Sequence, residues 1–134
     1  MERVIAELRA CCEDVPVPLD LPDMDDIIDA EEQILVSLDS EFRQFMLTVS
    51  DVIYGTMEPV TVADPNSHTY LPEVAAVAWS LGVSRELIPL CEYHGSYYCT
   101  NEIGEVVFWE NGAVTDEDPW ADVWVWAEHV WLNS

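Results

Sequence analysis

The chain has 134 residues and a formal net charge of −23, from 27 acidic residues against four arginines and no lysine. A shell of that sign repels nucleic acid and anionic membrane and attracts basic proteins or cations. Half of the residues are nevertheless apolar and six are Trp, which excludes a disordered acidic tail and predicts one domain with a sizeable core.

Residues 3–12 predict a short amphipathic helix with Val4, Ile5, Leu8 and Cys12 on one side. Its acid-bearing start lacks the basic residues and apolar run of a secretory signal. Pro16, Pro18 and Pro22 then alternate with apolar residues, which predicts an extended connector lying on the domain. Residues 1–22 are thus an N-terminal helix and Pro-rich connector, and 23–134 the main domain. Asp23, with Asp26 three residues on, caps a second helix whose inner face is Met24, Ile27, Ile28, Ile34 and Leu35. A third helix starts near Ser40, with Phe42, Phe45, Met46 and Val49 in one stripe, and Gly55 stops what remains of it.

Val60 and Val62 alternate with polar neighbours and predict a strand, followed by a turn at Asp64-Pro65-Asn66-Ser67. Pro72 opens a fourth helix at its first position, with Val74, Val77, Ala78 and Leu81 as the stripe and Gly82 as the stop. The longest apolar run, Val74 to Trp79, is far too short to span a membrane. The period then changes to two. Leu87–Cys91, Tyr97–Thr100 and Glu105–Trp109 predict an antiparallel meander, and Asn111-Gly112 a tight hairpin. The last helix is expected to be capped by Asp118 with Pro119 at its first position. Trp120, Val123, Trp124, Ala127 and Trp131 would lie on one face, widened by Trp126 and Val130. Helices bracketing an antiparallel or mixed sheet meander make the fold class α+β.

The order of several short motifs is similar to the SUKH superfamily, named in part for the yeast Smi/Knr cell-wall synthesis regulators. They are Ala30-Glu31-Glu32 in a helix, Phe42-x-x-Phe45-Met46-Leu47 before Gly55, and Leu87-Ile88-Pro89-Leu90 entering a strand. Tyr97-Tyr98-Cys99, Val106-Val107-Phe108-Trp109 and the closing Trp126-Ala127-Glu128-His129-Val130-Trp131-Leu132 follow. The resemblance covers residues 24–132. It implies a mixed sheet with helices packed around it and a non-catalytic binding module. Bacterial members are mostly immunity proteins that bind and block a toxin, often a nuclease or deaminase; others are inferred to be general scaffolds.

Candidate contact residues fall into two groups. Glu110, Asp116, Glu117, Asp118 and Asp122 cluster near the start of the last helix and suit a basic nuclease cleft. Tyr93 and Tyr97 are candidate interface anchors. Tyr97 and Tyr98 point to opposite sides of one strand, so the one that does not face the core is either exposed or covered by a helix. Cys91-x-x-His94-x4-Cys99 has zinc-ligand types but no fourth ligand and no Cys-x-x-Cys knuckle, and strand cysteines are small buried hydrophobes. Asp23-Met24-Asp25-Asp26 lacks the glycine and terminal glutamate of a calcium loop. The adjacent Cys11-Cys12 pair fits no small disulfide scaffold. These features predict reduced thiols, a cytoplasmic location, no metal, no cofactor and no enzymatic activity. The charge makes a basic protein the expected partner; the resemblance implies toxin neutralisation as the function and a housekeeping scaffold as the alternative, and a homodimer is left open.

Overall fold

The computed structural model describes residues 1–134 and has five helices and one five-stranded antiparallel sheet, an α+β fold. Acidic side chains start three of the helices, where the N-terminal dipole end favours a negative charge. Asp23 and Asp26 form a reciprocal capping box on α2 (Met24–Ile34), each carboxylate taking the other's N–H, at 2.9 and 3.0 Å. Asp39 accepts from the N–H groups of Glu41 and Phe42 to start α3 (Ser40–Val49), whose Phe42, Phe45, Met46 and Val49 are all buried.

The inner face of α2 is narrower than the apolar pattern predicts. Ile27, Ala30 and Ile34 are buried, but Met24, Ile28 and Leu35 are exposed. Leu35 is the C-cap with φ 61, and that left-handed turn swings its side chain out of the helical stripe. Glu31, next to Ala30, is structural. It accepts the Leu38 N–H at 2.6 Å and holds Arg43 by a short ion pair at 2.7 Å.

The N-terminal helix α1 (Glu2–Cys11) packs on α3 and sends Val4 and Leu8 into the same core. Cys12 lies past its end and is exposed, against expectation. Arg9 clamps this helix to the end of α3 through Asp51 at 2.5 and 3.0 Å and the Thr48 carbonyl at 3.1 Å. Glu13 donates its N–H to the Ile53 carbonyl at 2.7 Å. Residues 1–22 therefore begin as an integral part of the packed molecule.

The strands run in sequence order: β1 (Glu58–Pro59), β2 (Ile88–Tyr93), β3 (Ser96–Thr100), β4 (Val106–Glu110) and β5 (Ala113–Val114). The expected strand at Val60–Val62 is displaced to Glu58–Pro59. Val60, Thr61 and Val62 are all buried, because Thr61 leaves the sheet and pairs with the Thr69–Leu71 backbone instead. Positive φ at His94 and Gly95, and again at Asn111 and Gly112, makes both hairpins the mirror-image turn whose twist matches the strands.

One sheet face carries the main core with α1, α2, α3 and the last helix; α4 (Leu71–Ser80) covers part of the other. Pro72 is the second residue of α4 rather than the first. Leu71, Pro72, Ala75 and Ala78 are buried, while Val77 and Leu81, expected inside, are 53 % and 55 % exposed. The small alanines let α4 approach the sheet closely and turn its valine edge outward. Its end is a paired-hydrogen-bond cap, Val83 N–H to Ala78 O and Gly82 N–H to Trp79 O, which the φ of +111 at Gly82 permits.

The last helix starts later than expected. Asp122, not Asp118, caps α5 (Val123–Trp126), accepting from Trp124 and Val125 at 2.9 Å. Before it, Trp120 is bonded in both directions to Val106, which holds Asp118 and Pro119 in an extended loop where no helix can begin. After Trp126 the coil widens to a π turn over Ala127–Trp131, with Leu132 N–H on Ala127 O at 2.8 Å. Two residues five apart then point the same way, so Trp126 and Trp131 both enter the core, 6.3 Å apart by ring centre. Trp131 also donates to Tyr54 O at 3.1 Å, and the chain end packs over Gly55, where a side chain would strike Ser134.

Candidate protein-interaction surface

The register of the meander sorts the candidate residues by face, because directly paired residues lie on the same side of a sheet. Cys91, Tyr98 and Phe108 pair across β2, β3 and β4, and Tyr93 and Glu110 follow on that face at two-residue steps. Glu92, Tyr97 and Trp109 share the opposite face, with Glu58 opposite Glu92 and Val114 opposite Trp109. The candidate set thus divides, with Tyr93 and Glu110 on one side and Tyr97 on the other.

On the first side Tyr98 is the centre of an aromatic ladder, 4.6 Å from Phe108, 5.4 Å from Trp126 and 5.6 Å from Trp120. Tyr93 stands 6.4 Å further out, half-buried and edge-on to His94. Burial holds the Tyr98 phenol above its ordinary pKa, with Cys91, Tyr93, Glu117 and Glu110 adding to the effect. Glu110 and Glu117 therefore lie within electrostatic reach of Tyr98. Asp116, Glu117 and Asp118 are exposed on the loop between β5 and α5. Asp122 is not a free carboxylate of this group, since its oxygen holds two backbone N–H groups of α5.

On the second side Tyr97 is only 4 % exposed. Tyr97 and Tyr98 are thus both buried, one under α4 with Cys99, Val83 and Trp109, the other in the main core. Tyr97 is not a free anchor but part of the wall of a cleft of about 330 Å³, which also includes Glu58, His68, Glu73, Val77 and Glu92. None of these residues stands out in the sequence, because only the strand register brings Glu58 and Glu92 together. Glu58 is bonded to His68 at 3.2 Å.

All four arginines are engaged within the chain. Arg3 bridges Glu7 and Glu128, Arg9 meets Asp51, Arg43 meets Glu31, and Arg85 stacks 4.2 Å over Trp79. Carboxylate bonds raise the pKa of Arg3 and Arg9 further. The rest of the acidic surface therefore faces solvent with no cation of its own beyond the histidines.

The Cys91, His94 and Cys99 triplet does not assemble. Cys91 faces the main core and Cys99 the α4 side, and His94 is exposed at the turn. Burial pushes both thiols up to about 12, so they are protonated small hydrophobes at neutral pH. All four cysteines are free. No helix is long and apolar enough to cross a membrane.

The chain is similar along its full length to a protein from Pseudomonas syringae pv. tomato of known crystal structure. The two are 55 % identical over 100 % of each chain, with a TM-score of 0.96. Among curated proteins none is significantly similar. The sequence profile of the SUKH_5 family, described as SMI1-KNR4 cell-wall, matches residues 1–132, which takes in the N-terminal helix that the motif resemblance did not reach. The chain therefore belongs to the SMI1-KNR4 family, in its SUKH_5 branch.

Proposed function

We propose that this protein is a non-catalytic binding module of the cytoplasm that neutralises a basic toxin, of nuclease type, by covering its active site. The observation that supports the reading is the disposition of charge. A chain at −23 has all its arginines engaged internally and leaves Glu110, Asp116, Glu117 and Asp118 exposed, with Glu110 on the same sheet face as the half-buried Tyr93. Such a surface mimics the charge of nucleic acid, draws a basic partner in by long-range attraction and needs no chemistry of its own.

Capture of the tagged protein from its own cells at low salt tests this. One dominant basic protein with a nuclease-like domain, released by high salt, is the expected result. Charge reversal at Asp116 and Glu117 should then slow association at least tenfold at low salt and leave the fold intact. Asp122 is unsuitable for that test, because its removal uncaps α5. The second reading, a regulatory scaffold, is favoured by the cell-wall description of the family; a spread of unrelated partners in the same eluate would select it.

A further inference from the structure

The cleft on the α4 side of the sheet bears on how a basic partner docks. Glu58 and Glu92 stand directly opposite on β1 and β2, two like charges at paired positions, where repulsion works against the sheet. Glu73 adds a third carboxylate from α4. No arginine reaches them, and the nearest cation-forming group is the exposed His68 imidazole on Glu58. Glu92 takes one internal bond, from the Gly95 N–H at 3.1 Å. The walls between these acids are apolar: Val60, Val74 and Val77.

Tyr97 is the second, independent observation. Its side chain is 4 % exposed and lines the cleft, yet its hydroxyl bonds to no group of the chain and is not sealed in as the Trp126 indole N–H is. A tyrosine hydroxyl with no partner in the chain keeps both its donor and its acceptor for a ligand. The cleft that Tyr97 lines is walled by valines and rimmed by carboxylates.

We propose that this cleft takes an arginine or lysine side chain of the partner protein. The aliphatic stem would lie along Val60, Val74 and Val77, the cation among Glu58, Glu73 and Glu92, and the Tyr97 hydroxyl would accept one of its N–H groups. The proposal rests on the reading of a basic protein partner. Val77, left outside the core, extends the same apolar wall to the surface where the rest of that partner would sit.

Amide NMR spectra of the full chain, titrated with N-acetyl-arginine amide, test it. Saturable shifts are expected at Glu58, Val60, Glu92 and Tyr97. N-acetyl-citrulline amide, of the same shape without charge, should produce none. The Glu58→Gln/Glu92→Gln double variant should bind at least tenfold more weakly while its melting temperature rises, since the opposed charges are gone. Shifts scattered over the whole acidic surface, or a variant that responds like the native chain, would overturn the assignment. Putrescine binding tenfold more tightly than the arginine amide would also overturn it, in favour of a free diamine. The two readings fail separately. A captured basic partner that binds the double variant undiminished removes the cleft assignment and keeps neutralisation. Saturation by the arginine amide with no basic partner captured removes neutralisation and the partner side chain together, and leaves a cation site.

Discussion

Cys91 and Cys99 differ in what they touch but share one consequence. Each is enclosed in apolar surroundings that disfavour a thiolate, and each has its pKa raised from 9.0 to about 12. The folded state then holds a proton that the unfolded chain releases above pH 9. Stability from these thiols is complete below pH 9 and is lost as pH climbs from about 9 through about 12, by at most ~1.4 kcal/mol per pH unit for each thiol. Urea unfolding at pH 8 to 11 should show that decline, and Cys99→Ala should make it shallower, at a packing cost of about 1 kcal/mol at pH 7. An undiminished slope in the variant would assign the decline to the buried phenols, because burial raises Tyr97 and Tyr98 as well. At this scale the sequence reading was right about the cysteines as buried hydrophobes. It did not place Tyr97 under α4 beside the acidic cleft, because which face a strand residue occupies depends on what packs there.

Three of the five helices begin at an Asp cap, and the last helix is the instructive case. Asp118-Pro119 has the better sequence signature, but Asp122 has the bonds. The Trp120–Val106 bridge decides it by tying the chain to the edge of β4 just where the first turn would have formed. Asp122→Ala should therefore cost about 1 kcal/mol, the usual worth of an N-cap, whereas Asp118→Ala should stay within about 0.5 kcal/mol of the native chain. Thermal unfolding of the two variants compares them directly; equal losses would contradict the assigned cap. If Asp118 also contributes to partner binding, its variant separates that role from folding, which no change at Asp122 can do. The stripe of α3 was legible because four large apolar residues repeat at helical spacing. Those of α2 and α4 were legible only in part: Ile27, Ile34 and Ala78 are buried as expected, but Ala30 and Ala75 also face the core while larger residues such as Ile28, Val77 and Leu81 are left outside.

The whole molecule carries its charge with little internal relief. The engaged arginines pin α1 to α3 and α2 to α3, and Arg3 ties α1 to the last helix, but the remaining carboxylates repel one another. Screening should thus stabilise the fold. Raising sodium chloride from about 0.02 to 0.5 M should increase the melting temperature, by roughly 4 °C for each kcal/mol of repulsion removed. A flat or falling midpoint would show that the ion pairs outweigh the repulsion. The same salt should weaken partner capture, so stability and binding are expected to move in opposite directions.

Fold class, the helices, the meander, the second hairpin and family membership were all determined by the sequence, because periodicity, caps and turn residues act over a few positions and the motifs keep their order. The acidic surface was equally plain from composition. The tertiary structure decided which face each strand residue occupies, and so divided Tyr93 from Tyr97 and Cys91 from Cys99. It also brought Glu58, Glu73 and Glu92 around one cleft from three elements. Strand register and helix approach arise from packing between segments distant in sequence, and a one-residue shift of a strand would have moved each of its side chains to the other face.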